Sequence, residues 1–311
     1  MSRPMNGPIV VGLDGSPESR AAADWAAGEA SRREVPLLLL HSWTAQSLDL
    51  PIAQDGPNKQ RWAQQLLHET EADLRSRHPK LDVSGELVAE QPVQALTDQG
   101  DSASLLVLGS RGYGAVAGFL MGSVSLPVLA RATCPTVTVR LDKHLDKHRD
   151  KAVEATPPAA GAGPRDSGTE IVVGVHGTGR RDDASLAYAF STADAQGLTV
   201  RAVHAWNPPP LLAYSQAMVP LANDTETFES EHRALLAESL APWRQQYPDV
   251  PVVEHLDAGP AAPVLLAATA QARLLVVGRR LHRHPLAPKL GPVTHAALHH
   301  APCPVAVIPH D

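Results

Sequence analysis

Glycine residues and residues with hydroxyl side chains follow a short apolar run in the first half of the chain. The run Leu105–Leu108 predicts a strand buried on both faces, which Gly109 is expected to end. Further glycines follow in a loop, and Gly122-Ser123 opens a predicted helix. Glycines let the backbone approach an anion closely, and the first N–H groups of a helix point towards it. The spacing Gly109-x2-Gly112-x9-Gly122-Ser123 therefore predicts a phosphate-binding loop.

Backbone groups and hydroxyls, rather than a lysine, are the phosphate ligands that this loop offers. It has no Gly-Lys-Ser/Thr sequence of the Walker type, and Arg111 is its only cation. The hydroxyls of Ser123 and Ser125 lie at the start of the helix predicted for residues 124–133. The alternative interpretation is a strand-to-helix turn that uses glycine only for its backbone conformation.

Strands and helices alternate along the first half of the chain, and they must hold this loop in place. Apolar runs predict five strands, and helical periodicity predicts a helix between each successive pair. One helix is expected at residues 59–77, with Trp62 and Leu66 on its apolar side. The order β-α-β-α-β-α-β-α-β predicts a doubly wound parallel sheet covered by helices. The predicted strands are Ile9–Leu13, Val35–His41, Val83–Ala89, Leu105–Leu108 and Thr136–Arg140.

The second half of the chain repeats the first. Ile171–Gly177 matches Ile9–Gly15, and Leu274–Gly278 matches Leu105–Gly109. Two copies of one α/β domain are therefore expected. The predicted boundaries are 1–143 for the first domain, 144–168 for a linker rich in charge, proline, alanine and glycine, and 169–311 for the second domain.

Composition and net charge exclude several classes of protein. The 311 residues are 43% hydrophobic and 19% charged, as in ordinary globular proteins, and their length allows two domains with full cores. The net charge of −6 argues against binding to nucleic acid or to an anionic membrane. No apolar run approaches the ~20 residues of a membrane span, and the N-terminal stretch lacks the apolar core of a secretory signal. A cytoplasmic protein is expected.

The glycine spacing of the first copy resembles the nucleotide-binding signature of the universal stress protein (UspA) family, in its ATP-binding branch. Tandem copies are a common arrangement in that family. The resemblance implies two tandem doubly wound parallel five-stranded sheets of the adenine nucleotide alpha hydrolase-like, Rossmann-like class. It also implies that the first and fourth strands, which end at Asp14 and Gly109, lie side by side.

The same resemblance implies roles for the residues of an ATP site in the first copy. Asp14, with the backbone near Gly12, is expected to contact the ribose, and backbone groups around Ser42 are expected to meet the adenine edge. Mg²⁺ is the candidate cation for neutralising the phosphates. The residues implied to line or close over the phosphates are Gly109, Ser110, Arg111, Gly112, Gly122, Ser123, Val124 and Ser125.

The second copy has lost residue types that such a site needs. The aspartate after the first strand becomes His176, a loop glycine becomes Leu281, and the serine of the Gly-Ser pair becomes Pro292. Leucine is strained at positive φ, and proline lacks an N–H. ATP is therefore expected to bind the first copy only, with a degenerate site in the second. The basic loop 279–289 is either a side-chain anion site or a solvated surface.

Histidine pairs leave two further alternatives. His295 and His299 lie four residues apart on the predicted last helix, a spacing that can hold a metal but also complements the helix dipole. No carboxylate or cysteine has clear ligand spacing nearby, and no metal site is predicted. His41 and His204 end equivalent strands, and we expect them to make structural hydrogen bonds.

Three functions remain open from the sequence: an ATP-dependent regulatory switch in a stress response, slow ATP hydrolysis, and a structural interaction module. Because the loop has neither a Walker lysine nor an evident general base, binding without efficient turnover is expected, and no catalytic residue is assigned. Pairing through the last strand of each copy predicts a homodimer or an intramolecular pseudo-dimer, with protein partners that the sequence does not name. These strands are Thr136–Arg140 and Pro304–Ile308.

Overall fold

The computed structural model divides into two units, Met1–Asp166 and Ser167–Asp311. Two predicted phosphate ligands, Arg111 and Gly112, lie outside the residues that the structure describes, as do residues 144–167 of the predicted linker. The described ranges are 7–43, 56–110, 122–141, 168–177, 182–207, 222–281 and 290–310.

The first unit contains the doubly wound parallel sheet that the sequence predicts. Its strands run in the order β3-β2-β1-β4-β5, and every neighbouring pair is parallel. The central strands β1 and β4 are almost wholly buried and apolar, as expected for a sheet covered by helices on both faces. The strands are β1 (Ile9–Gly12), β2 (Leu37–Ser42), β3 (Val83–Val88), β4 (Leu105–Ser110) and β5 (Thr136–Arg140).

Helices connect successive strands of this unit. The first of them, α1, begins where the hydroxyl of Ser16 accepts the backbone N–H of Ser19 at 3.1 Å, which satisfies a donor that the helix itself cannot. Pro17 occupies the first helical position, where a missing N–H does no harm. The cap fixes the start of α1 close to the carboxyl end of β1. The helices are α1 (Pro17–Arg33), α2 (Gly56–Arg77), α3 (Pro92–Gln99) and α4 (Ser125–Arg131).

The fourth strand is longer than the sequence predicts. We expected Gly109 to end it, but β4 continues through Gly109 to Ser110, because these residues pair with Val139 and Arg140 of β5. A glycine does not interrupt a strand whose neighbour keeps the ladder intact. The predicted helix at 124–133 is correspondingly shorter, since α4 is limited to Ser125–Arg131.

The second unit repeats this topology. Its strands run in the order β8-β7-β6-β9-β10, again with parallel neighbours, so the repeat in the sequence is also a repeat of the fold. Within the described residues, no helix is both long and apolar enough to cross a membrane. The elements are β6 (Glu170–Gly174), α5 (Asp183–Gln196), β7 (Thr199–Trp206), α6 (Ala222–Gln246), β8 (Val252–Ala258), α7 (Ala261–Ala267), a 3₁₀ turn (Ala268–Gln271), β9 (Ala272–Arg280), α8 (Pro292–His300) and β10 (Val305–His310).

Candidate functional site

The order of the first sheet reverses between β1 and β4. These strands are parallel neighbours, with Ile9 opposite Leu105, and they continue to β2 on one side and to β5 on the other. The implied adjacency of the first and fourth strands is therefore confirmed. Open α/β sheets bind ligands in the crevice outside the carboxyl ends of strands at this point. Gly12 ends β1 here, and Gly109 is the residue before the last of β4.

Asp14 lies directly beyond β1, in a tight turn. Its Oδ1 accepts the backbone N–H of Ser16 at 2.9 Å and the Ser16 hydroxyl at 2.5 Å, and its own N–H donates to the hydroxyl of Ser19 at 3.3 Å. Gly15 has a φ of +82°, which the turn requires and which glycine adopts without strain. The turn presents the Asp14 carboxylate at the exposed carboxyl edge of the sheet.

Gly109 is needed by the packing of the fold, whatever it does for a ligand. A Cβ placed on Gly109 would lie 2.6 Å from the carbonyl carbon of Glu18 and 2.7 Å from the backbone nitrogen of Ser19, both in α1. Only glycine permits α1 to approach β4 so closely. Ser110, the next predicted ligand, is buried at the end of β4.

The start of α4 is joined to the end of β4. The hydroxyl of Ser125 donates to the carbonyl oxygen of Gly109 at 3.3 Å, and the carbonyl of Gly122 accepts the N–H of Ser125 at 3.1 Å. Ser123 is exposed, and Val124 occupies the N-cap position of α4. Of the predicted phosphate-lining residues, the structure thus brings Gly109, Gly122 and Ser125 together.

Ser42 lies at the same edge, at the end of β2. Its hydroxyl donates to the carbonyl oxygen of Glu90 at 2.5 Å, and the N–H of Trp43 donates to the carbonyl of Val88 at 3.0 Å. Both bonds connect β2 to β3 and the segment after it. The backbone near Ser42 is therefore held in a fixed position beside the end of β1, the strand that pairs with β2.

His41 and Trp62 also lie at this site, a position that the sequence did not predict for either residue. Nδ1 of His41 lies 2.7 Å from the carbonyl oxygen of Leu13, as expected for a structural histidine. Trp62, predicted on the apolar side of its helix, is instead 52% exposed, with its ring edge-on to His41 at 5.7 Å. A Cβ on Gly15 would lie 2.8 Å from the Trp62 ring, so this indole covers the turn that carries Asp14.

The second unit has a cavity at the matching place. It measures about 590 Å³ and opens at the carboxyl ends of β6, β7, β9 and β10. We call it the second-unit cavity. Its lining includes Gly174, Asp182, His204, His232 and Arg280.

Two anchoring contacts of the first unit recur around this cavity. The hydroxyl of Thr294 donates to the carbonyl oxygen of Gly278 at 3.0 Å, as Ser125 does to Gly109. Nδ1 of His204 lies 2.9 Å from the carbonyl oxygen of Val175, so its expected structural bond is also present. The frame of the site is retained in the second unit although the predicted phosphate ligands have changed.

The histidines of the last helix lie close together. The rings of His295 and His299 are 4.4 Å apart at their centroids. In the described ranges of the chain, no group of three or more histidine, cysteine, aspartate or glutamate side chains is placed to hold a metal ion.

Comparison with known proteins identifies one group of relatives. A sequence profile of the universal stress protein family matches residues 5–140 and 169–309. A universal stress protein of Mycobacterium tuberculosis is 34% identical over 309 residues, which cover 96% of each chain. The crystal structure of a universal stress protein from Archaeoglobus fulgidus shares the fold, with a TM-score of 0.68, 17% identity and coverage of 98% of this chain and 99% of that one. A universal stress protein in complex with cAMP covers 44% of this chain and 98% of its own, at 27% identity and a TM-score of 0.35.

Proposed function

Because the chain belongs to the universal stress protein family, we propose that its first unit binds ATP and that the protein acts as a nucleotide-dependent regulator in a stress response. One observation supports this most directly. The exposed Asp14 carboxylate and the Gly109–Ser125 contact lie at the ends of β1 and β4, the neighbouring strands at which the sheet order reverses. A nucleotide placed there has the Asp14 carboxylate on one side and the joined ends of β4 and α4 on the other.

Each part of the site has a stated role in this proposal. The Asp14 carboxylate accepts ribose hydroxyls, with the backbone near Gly12 beside it, and backbone groups near Ser42 meet the adenine edge. Backbone N–H groups and hydroxyls hold the phosphates, since a glycine loop exposes them to an anion. The proposed phosphate set is Gly109, Ser110, Arg111, Gly112, Gly122, Ser123, Val124 and Ser125.

Mg²⁺ would bind such a site mainly through the phosphate oxygens of the nucleotide. It keeps several waters and needs only one or two protein carboxylates. Asp14 provides an exposed carboxylate at this edge, although its Oδ1 already accepts two bonds from Ser16. The cation supplies charge neutralisation to the bound phosphates, and the chain's own residues orient the ribose and the loop.

Binding rather than turnover is proposed for this site. Hydrolysis of ATP needs an oriented water and a cation at the transferred phosphate. The loop sequence contributes Arg111 and no lysine, and the role proposed for the Asp14 carboxylate is at the ribose, not at an attacking water. We further propose a cytoplasmic location, and a homodimer or an intramolecular pseudo-dimer as the assembly.

The test is to identify what the purified full-length protein carries and binds. Mass spectrometry of the ligand released on denaturation should find an adenine nucleotide, and calorimetry should find a single ATP site per chain. Steady release of phosphate from added ATP would favour the slow ATPase instead. Absence of both a carried and a bound nucleotide would leave the structural interaction module.

A further inference from the structure

The second-unit cavity has the size and position of a ligand site. Its volume of about 590 Å³ lies within the roughly 300–1,000 Å³ common for small-molecule sites. Gly174 of β6 and Gly278 of β9 both line it, and these neighbouring strands are the point at which the order of the second sheet reverses. The position alone does not identify the ligand, but the polar groups around the cavity indicate its chemistry.

Hydrogen bonds determine the tautomers of two histidines in the wall. The carbonyl oxygen of Val175 can only accept, so the Nδ1 of His204 that lies 2.9 Å from it carries the proton. When both rings are uncharged, Nε2 of His204 is then the acceptor, and Nδ1 of His232, 2.9 Å away, donates to it. Neutral His232 consequently has its lone pair on Nε2, for which the described part of the chain provides no hydrogen-bond partner.

His232 is held in this neutral form. Burial lowers its pKa, the neighbouring His204 lowers it further, and Glu231 on the same helix opposes them. Trp206 stacks against its ring, with centroids 5.4 Å apart and planes inclined at 24°. Near neutral pH, the ring therefore offers a hydrogen-bond acceptor whose orientation is fixed.

Asp182 supplies a second acceptor. Its Oδ2 accepts the backbone N–H groups of His176 at 2.7 Å and of Gly177 at 3.2 Å. Burial raises the pKa of Asp182, against the opposing effects of these two bonds and of the nearby His176 and His310. Within the described residues, Oδ1 has no hydrogen-bond donor. The Asp182 carboxylate accepts the backbone N–H groups of this turn, which a bound anion would otherwise accept.

Phosphate-binding features are weak among the described residues that line this cavity. Pro292 begins α8 and has no N–H to donate, and Leu281, in the place of a loop glycine, is 37% exposed. Among the described lining residues, Arg280 is the arginine, and its side chain is exposed, so that water screens its charge. An anion placed inside would meet the Asp182 carboxylate and the His232 lone pair.

We propose that the second-unit cavity is a separate binding site for a neutral, flat-ring compound rich in N–H and O–H donors, namely a nucleoside without phosphate. A ring N–H or amino group donates to Nε2 of His232, and sugar hydroxyls donate to Asp182. The retained anchors at His204 and Thr294 keep the cavity open for it. The proposal rests on the second unit's own residues and does not depend on ATP binding by the first.

Calorimetry on the full chain carrying Asp14→His tests the proposal, with adenosine, AMP and ATP as probes. Adenosine should bind, and about tenfold or more tightly than AMP. His232→Phe keeps a stacking ring but removes the acceptor, and Asp182→Asn removes the charge; each should weaken adenosine binding by about tenfold. Arg233→Ala, on the same helix with an exposed side chain, is the control and should leave the affinity unchanged.

The pH dependence of adenosine binding tests the proposal without any substitution. Adenosine can donate to Nε2 only when His232 is neutral. Adenosine affinity should therefore fall as the pH falls through the lowered pKa of His232. In NMR titrations, bound adenosine should keep the His232 ring neutral to a lower pH. Among the described residues, the other charged or titratable groups near this ring or in the cavity lining are His204, Asp182, His176, His310, Arg280 and Glu231.

Three outcomes would overturn the proposal: no adenosine binding, a site for AMP or ATP that is tighter than the adenosine site and is weakened by both cavity variants, or wild-type adenosine affinity in both cavity variants. Affinity that rises at low pH would also overturn it, because that is the behaviour of an anion binding to imidazolium. Loss of ATP binding on changing Asp14 alone concerns the first unit, so the failure of one proposal is distinguishable from that of the other.

Discussion

The hydroxyl of Ser125 donates to the carbonyl oxygen of Gly109 at 3.3 Å and so joins the start of α4 to the end of β4. Thr294 makes the same bond to Gly278 in the second unit, at 3.0 Å. A hydroxyl at this position is therefore part of the frame of both sites. In the first unit it also fixes the start of α4, directly after the predicted phosphate ligands Gly122 and Ser123.

Ser125→Ala should lower the free energy of unfolding by about 1 kcal/mol, because a hydrogen bond is lost in a buried place. It should also weaken ATP binding, since the loop loses its fixed connection to β4. Ser125→Thr keeps the hydroxyl and copies the second unit, so it should retain both properties. Urea unfolding and ATP calorimetry measure the two effects. Equal behaviour of the alanine and threonine variants would show that the hydroxyl contributes nothing.

Asp14→His should weaken ATP binding by about ten- to a hundredfold, the usual loss for one charged hydrogen-bond partner. The change copies the residue of the second unit, His176, at the equivalent position. An ATP analogue without ribose hydroxyls should lose much less affinity. Calorimetry with both ligands measures the difference, and equal losses would show that Asp14 does not contact the ribose.

Gly15→Ala should destabilise the first unit by more than about 1 kcal/mol, because alanine is strained at the φ of +82° found there. Its Cβ would also lie 2.8 Å from the Trp62 ring. Trp62→Ala should remove that contact but not the backbone strain, so the double variant should recover only part of the loss. Full recovery in thermal unfolding would mean that the contact, not the backbone, is responsible.

The sequence predicts the sheet well because its signals are local. Apolar runs such as Leu105–Leu108 and the repeat of Ile9–Gly15 at Ile171–Gly177 are visible without any contact information, and the structure confirms both. The extension of β4 through Ser110 was not predictable in this way. It depends on pairing with β5, about thirty residues further along the chain.

The sites are only partly predictable for the same reason. Asp14 and Gly109 carry a pattern, but Trp62 and His232 lie on long helices with no motif around them. Their importance comes from contacts with His41 and His204, which lie near the ends of β2 and β7 in an earlier part of the sequence. The substitutions in the second copy indicated lost phosphate ligands, yet they gave no sign of the cavity that remains.

Glu29 makes the stability of the first unit depend on pH. Its side chain is only 2% exposed and bonds to Arg32 at 2.9 Å and to Arg33 at 2.6 Å. Burial by itself raises the pKa of Glu29, but Arg33 and Arg32 outweigh it and hold the pKa below its ordinary value. A lowered folded-state pKa stabilises the fold above the unfolded pKa, and this contribution disappears as the pH falls through the folded value.

Glu29→Gln should therefore cost stability near neutral pH, by about 1.5–3 kcal/mol, because the two partly exposed arginines lose charged hydrogen bonds to their shared, buried carboxylate. The difference from the wild type should shrink as the pH falls below the unfolded pKa of about 4.5 and through the lowered folded value, because the wild-type carboxylate is then protonated as well. Urea unfolding at a series of pH values measures this. Arg233→Ala, which breaks an exposed pair with Glu229, should show almost no loss and no such dependence. A Glu29→Gln deficit that stays constant from neutral to acid pH would contradict the ion-pair explanation and assign the loss to packing alone.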